Sequence, residues 1–247
     1  MAFMRIFVCL VVLLLSGSAF AEEAKSKTLA LVIGNSAYRH TKLASPVNDA
    51  KLMAEKLKGL GFEVFAFYDA NQRKMKHALL DFADELRERG KDAKAIVFYA
   101  GHAVQMGGEN YLIPVDEQIE DERDVFIDGL GLGSVVNVLT ATEIQTAVVV
   151  VDACRNNPFA YAHGAGGLVK MDAPAGSLIA FSASPGAVAP DGPAGGNSPY
   201  TAALAKTIAE KGVKIEDVFK KVHGAAGVQA PWESGSLAGA FYPAGAN

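Results

Sequence analysis

His102 and Cys154 are the residues of this chain whose types and placement could do covalent chemistry together. A thiol beside an imidazole ionises near neutral pH, and the thiolate is the nucleophile. Each residue follows an apolar, β-rich run. Ala95-Ile-Val-Phe-Tyr-Ala100 leads into His102, and Ala147-Val-Val-Val-Val-Asp152 leads into Cys154. Neither run alternates, so both read as strands of a parallel sheet that is buried on both faces. Open α/β sheets carry their sites at the carboxyl ends of neighbouring strands. Acyl transfer there needs a nucleophile, a base that later returns its proton, and donors for an oxyanion. Cys154 supplies the first and His102 the second, and the backbone N–H groups of Ala103 and Cys154 are candidate donors. Asp152, two positions before the cysteine, would attract a cationic side chain, Arg above all, because guanidinium pairs with carboxylate in a bidentate way. Asp49 could bring a second carboxylate to the same crevice. Taken singly, each residue also has a bland reading: a packed thiol, a loop histidine, a turn-forming aspartate.

The surrounding pattern must position these groups. Residues 28–34, 62–68, 94–100, 144–152 and 177–182 read as strands, and 237–242 as a last short one. Helices are expected from a cap at Asn48 or Asp49 to about Leu60, from 71 to about 89 with Gly90 as the stop, over 134–142, from Ser198 to Lys211, and from Ile215 to about Gln229. Residues 103–114 read as a hairpin turning at Gly107-Gly108. Residues 116–128 read as an acidic loop, and Gly129-Leu-Gly-Leu-Gly133 as a flexible one. Long glycine-rich loops are expected over 155–176 and 185–197. Strands alternating with helices predict an α/β fold, with helices on both faces of the sheet.

The chain has 247 residues and a formal net charge of −4, with no basic run, which argues against a nucleic-acid partner. Its first residues read as a signal peptide: basic Arg5, an apolar run, and Ala19-Phe20-Ala21 as the cleavage site. The expected domains are a signal peptide over 1–21 and one catalytic domain over 22–247. Cleavage would leave a single cysteine, Cys154, no membrane anchor, and a location outside the cytoplasm, in a bacterial periplasm. Sites of other kinds find no support. There is no His-Glu-x-x-His run, the glycines of 129–133 lack the dinucleotide spacing, and His40, His77, His163 and His223 have no partners at metal-ligand spacing.

The segments Ala30-Leu-Val-Ile-Gly-Asn-Ser-Ala-Tyr38, Pro46-Val-Asn-Asp-Ala50, Phe98-Tyr-Ala-Gly-His102, Asn110-Tyr-Leu-Ile-Pro-Val-Asp116, Asp152-Ala-Cys-Arg-Asn-Asn-Pro-Phe159, Asn197-Ser-Pro-Tyr-Thr201 and Gln229-Ala-Pro-Trp232 together carry a resemblance. In this order they resemble the caspase-like cysteine peptidases, in particular the bacterial metacaspase-like (orthocaspase) type. The 52 residues from His102 to Cys154 fit a caspase-type spacing of about 50. The resemblance implies a caspase-hemoglobinase fold with about six strands, mostly parallel. It implies a large-subunit-like part to about residue 170 and a small-subunit-like part from about 171. It also implies a His102–Cys154 dyad and cleavage of protein or peptide substrates after Arg or Lys, with Asp152 and Asp49 as the S1 anion.

No cofactor is required by that chemistry, though the resemblance allows calcium as an activator. Asp116, Asp121, Asp124 and Asp128 could offer oxygens, but their spacing is not that of an EF-hand, and a solvated acidic loop is the favoured reading. Lys170 is a candidate point of self-cleavage. One departure stands out: the family usually has Gly after the catalytic His, and this chain has Ala103. A methyl group there is costly if the position needs positive φ or close approach, so reduced activity is expected. The competing reading is a catalytically silent caspase-like binding or scaffold protein of the cell envelope. A flavodoxin-like small-molecule binder is weaker still, because no loop cradles phosphate.

Overall fold

The fold is seen in a computed structural model that describes residues 26–154, 168–185, 187, 189, 191–225 and 231–247. The expected signal peptide, most of the loop after Cys154 and Gln229 lie outside the described residues. In chain order the elements are β1 (Thr28–Gly34), α1 (Pro46–Gly59), β2 (Glu63–Tyr68), α2 (Gln72–Arg89), β3 (Lys94–Met106), β4 (Glu109–Leu112), α3 (Glu122–Asp128), β5 (Leu130–Gly131), α4 (Leu132–Thr140), β6 (Thr146–Cys154), β7 (Ser177–Phe181), α5 (Pro199–Thr207), α6 (Ile215–Ala225) and β8 (Trp232–Ser236).

The main sheet runs β2-β1-β3-β6-β7-β8. All neighbours are parallel except β8, which lies antiparallel to β7. The apolar runs are central because both faces of their strands are covered. On β6, Val149 and Val151 enter a core built with α2 and α4, while Val148 and Val150 enter a second core with α1, α5 and α6. The arrangement is therefore the expected α/β sheet between two helical layers.

Local chemistry sets the element ends. Asn71 caps α2 by accepting the Lys74 N–H at 2.8 Å, and Gly90 closes it. Ser198 caps α5 by accepting the Thr201 N–H at 2.9 Å. α1 begins three or four residues earlier than a cap at Asn48 or Asp49 would allow, because Pro46 takes the first helical turn, where its missing N–H costs nothing. Gly34 lets α1 pack close on β1: a Cβ there would lie 2.5 Å from Ala50 Cβ.

Five other expectations need correction. β3 does not stop at Ala100; it continues through His102 into the hairpin with β4, which turns at Gly107 and Gly108 as expected. The acidic loop contains a helix, α3, started by a capping box between Asp121 and Asp124. The glycine run 129–133 is not simply a loop. Leu130–Gly131 adds a short strand on β4, and Leu132 and Gly133 open α4. The last strand is β8, not 237–242. Gly235 of β8 sits against Ser177 with no room for a side chain, whereas Phe241 turns into the second core. α5 also ends at Thr207, short of Lys211.

Candidate active site

β3 and β6 are adjacent, and their register makes His102 and Cys154 partners on the last rung of the ladder. Neighbouring strands are about 4.8 Å apart, so the backbone brings the two residues side by side. Asp152 lies two residues further back on β6, opposite Ala100.

His102 is 3% exposed. Its Nε2 lies 2.8 Å from the Thr41 carbonyl oxygen. A carbonyl only accepts, so Nε2 carries the hydrogen and Nδ1 keeps the lone pair. That Nδ1 is buried and has no hydrogen-bond partner among the described residues. Burial pushes the His102 ring below its usual range, with the Thr41 carbonyl and the Asp191 charge opposing. A neutral imidazole with a free Nδ1 lone pair is the form that can take a proton.

The backbone around it is fixed by two tyrosines. The Tyr38 hydroxyl accepts the His102 N–H at 2.8 Å, and the Tyr99 hydroxyl donates to the His102 carbonyl at 2.7 Å. The Tyr38 ring also packs on the imidazole at 4.4 Å between centroids. Gly101 is needed here, because a Cβ would collide with the Tyr38 and Tyr99 hydroxyls.

Ala103 does not meet the two conditions under which its methyl was expected to cost activity. It is not among the non-glycine residues with positive φ, which in the described chain are Asp69 and Glu143. Its side chain belongs to the α2/α4 core, on the face of the sheet opposite Asp152. Its N–H direction follows from alternation. The His102 carbonyl accepts Ile113 N–H at 3.0 Å on the β4 side, so the Ala103 N–H turns to the β6 side. There it falls on the last rung with Cys154, which must open before an oxyanion could use it.

Both predicted carboxylates lie in one buried cluster beside this rung, joined through Ser198. Asp152 is 6% exposed and accepts from the Ser198 hydroxyl, from Thr201 Oγ1 at 2.7 Å and from Ser182. Burial pushes its carboxyl above the usual range despite those donors. Asp49 is buried in the first turn of α1 and accepts from Ser198 N–H and Asn197 Nδ2, each at 2.9 Å. Burial first, and the Asp152 charge second, push Asp49 up to about 6. A third carboxylate, Asp191, adds negative charge next to Asp152 and His102. Among the described residues no Lys or Arg forms an ion pair with any of the three. A cluster of buried carboxylates for which the described residues supply no cation attracts a basic side chain.

The four aspartates of the acidic segment each accept a backbone N–H. Asp116 accepts Gln72 N–H, Asp121 accepts Arg123 N–H, Asp124 accepts the N–H groups of Glu120 and Asp121, and Asp128 accepts Gln118 N–H. Their oxygens serve as caps, and no cluster of metal-ligating side chains occurs among the described residues. Lys170 is exposed, with its ammonium over the Trp232 ring at 5.7 Å.

Sequence reasoning missed Thr41 and Asp191, which sit in loops with no pattern of their own. Tyr38, Ser198 and Thr201 lay inside segments already singled out, but no role was attached to them.

A family model for the caspase domain matches residues 27–242. The chain belongs to the caspase domain family. The chain is 29% identical over 133 residues to the human mucosa-associated lymphoid tissue lymphoma translocation protein 1, and equally to its mouse homologue. That match covers 53% of this chain and only 15% of those relatives. Two solved structures share the caspase fold. Caspase-1 from Spodoptera frugiperda is 15% identical, with TM-score 0.65 over 90% of this chain and 91% of its own. A protein from Geobacter sulfurreducens is 18% identical, with TM-score 0.68 over 90% of this chain and 99% of its own.

Proposed function

We propose that this caspase-domain protein is an exported cysteine endopeptidase of metacaspase-like type that cleaves after Arg or Lys. The observation that carries the reading is the buried acidic cluster of Asp49 and Asp152 beside the His102–Cys154 rung, which pairs with no Lys or Arg among the described residues. A P1 guanidinium or ammonium would meet that cluster and bring the scissile carbonyl to the carboxyl ends of β3 and β6. His102 Nδ1 takes the thiol proton and Cys154 attacks the carbonyl carbon. The N–H groups of Ala103 and Cys154, released as the last rung opens, would receive the oxyanion. The proton then passes from His102 to the leaving amine, and water, deprotonated by the same nitrogen, hydrolyses the thioester. No step is routed through a cofactor, and calcium enters the proposal only as an activator. The periplasmic location rests on the amino-terminal segment alone.

The test is hydrolysis of matched fluorogenic peptides with P1 Arg, Lys or Asp, beside Cys154→Ala. Cleavage after Arg and Lys is expected, with turnover down at least about a thousandfold in the variant. Equal cleavage after Asp would remove the S1 assignment. A folded protein with no cleavage, with or without calcium, would leave the silent scaffold as the better reading.

A further inference from the structure

The segment 36–45, between β1 and α1, is held by three carboxylates from elsewhere in the fold. Asp69 accepts from Ser36 N–H at 2.8 Å and Ala37 N–H at 2.9 Å. Glu117 accepts from the N–H groups of Arg39 and His40. Asp191 accepts from Ala44 N–H at 2.6 Å, from Ser45 N–H at 3.1 Å and from the Ser45 hydroxyl. Thr41 lies between the last two anchors, and its carbonyl is the group that meets His102 Nε2.

The anchors are unequal in setting. Glu117 is 2% exposed, and its Oε2 has no hydrogen-bond partner among the described residues. Burying a carboxylate is expensive unless donors meet it, and here the loop's own N–H groups are the donors. Asp191 is half-buried on the long loop that also forms the rim of the acidic cluster. It accepts Gly192 N–H at 3.0 Å, and Asn48 reaches the same rim through the Gly196 carbonyl at 3.1 Å. One loop therefore touches both the cluster's rim and the imidazole.

We propose that Glu117 and Asp191 are positioning residues, which hold the Thr41 carbonyl against His102 Nε2 and so keep Nδ1 as the free lone pair. Neither touches the reacting atoms. Without the anchors the carbonyl moves, the ring gains freedom to carry its hydrogen on either nitrogen, and the proton-accepting form becomes a fraction of the whole. The effect on turnover rests on the peptidase reading above; the effect on the ring does not.

The experiment is ring-nitrogen NMR of 15N-histidine-labelled protein at pH 8, with His102 assigned by His102→Asn, together with kcat and KM on a P1-Arg peptide. Wild type is expected to show His102 as a single Nε2–H tautomer. Asp191→Ala and Glu117→Ala are expected to show mixed tautomers and kcat lowered roughly tenfold to a hundredfold. KM should stay within about twofold of wild type. Asp191→Asn keeps the oxygen that meets Ser45 N–H and loses the one that meets Ala44 N–H, so its tautomer mixture is expected to fall between wild type and Asp191→Ala. A folded Asp191→Ala with the wild-type tautomer overturns the proposal. Should Glu117→Ala fail to fold, Asp191→Ala decides alone, because Asp191 is half-exposed on a loop. An inactive wild type with the single tautomer would count against the peptidase and leave the positioning role standing.

Discussion

Asp121 and Asp49 both sit at the start of a helix, yet their carboxyls move in opposite directions. Asp121 caps α3 at the surface, and the Arg123 guanidinium holds it down at about 2. Asp49 occupies the first turn of α1 inside the protein, and burial with the Asp152 charge pushes it up to about 6. A helix amino terminus favours a carboxylate by roughly 0.3–1 kcal/mol. The rise from 3.8 to about 6 corresponds to nearly 3 kcal/mol in the other direction, so burial and like charge decide the outcome. The four aspartates of 116–128 are satisfied by local N–H groups. The clustered carboxylates keep a charge that the described residues do not neutralise. Acidic residues in number do not make an acidic site; burial without a cation does.

The comparison can be broken most sharply at Asp152. Asp152→Asn should lower kcat/KM for a P1-Arg peptide roughly thirtyfold to several-thousandfold, about 2–5 kcal/mol, because a desolvated guanidinium would lose its partner. Alkylation of Cys154 by iodoacetamide should be unchanged. An Arg peptide cleaved at the wild-type rate would show that the carboxylate is not in S1.

Asp49→Asn should cost less activity, roughly tenfold to a hundredfold, since Asp152 remains. It should also stabilise the protein by about 1–2 kcal/mol at pH 8, measured by urea unfolding. The sign follows from the raised carboxyl. The folded state holds the Asp49 proton more tightly than the unfolded state does. Wild-type stability therefore falls as pH rises from about 4 through about 6, and the whole penalty is present above that window. The asparagine does not ionise, so its advantage should vanish below pH 4. An equal gain at pH 4 and pH 8 would contradict the assignment.

The same proton predicts a substrate effect of a few-fold. As pH falls through about 6 the cluster loses one charge, so KM for a P1-Arg peptide should rise while KM for a P1-citrulline peptide stays flat. Parallel curves for the two peptides would place the titration outside the cluster. The smallest effect is expected in the exposed set. Asp121→Ala should lower stability only slightly, through the lost cap, and leave kcat/KM within twofold.

The sheet was legible in the sequence because its central strands are continuous apolar runs. Residues 28–34 are β1 to the residue, and the neighbouring positions of β3 and β6 followed from where those runs stop. Periodicity failed where segments are short or polar. α3 is polar and only seven residues long, and it owes its start to side-chain caps that leave no apolar stripe. The apolar tail at 237–242 looked like a strand, but it fills a core as irregular chain. In the site, residues with distinctive chemistry could be named in advance. Thr41 acts through a backbone carbonyl, which every residue possesses, and Asp191 is one aspartate among many. No composition or spacing marks such roles.

The last rung of the β3–β6 ladder has a consequence for when the protein becomes competent. His102 and Cys154 are far apart in sequence, joined by a crossover that contains β4, α3, β5 and α4. Closing that crossover is a long-range event, and parallel pairing forms slowly compared with helices and hairpins. A chain with its helices and hairpin already made, but its centre unpaired, has an imidazole and a thiol with no relation to each other. On the proposed peptidase reading, competence thus arrives only with completion of the sheet, and a partly folded chain has no proteolytic activity.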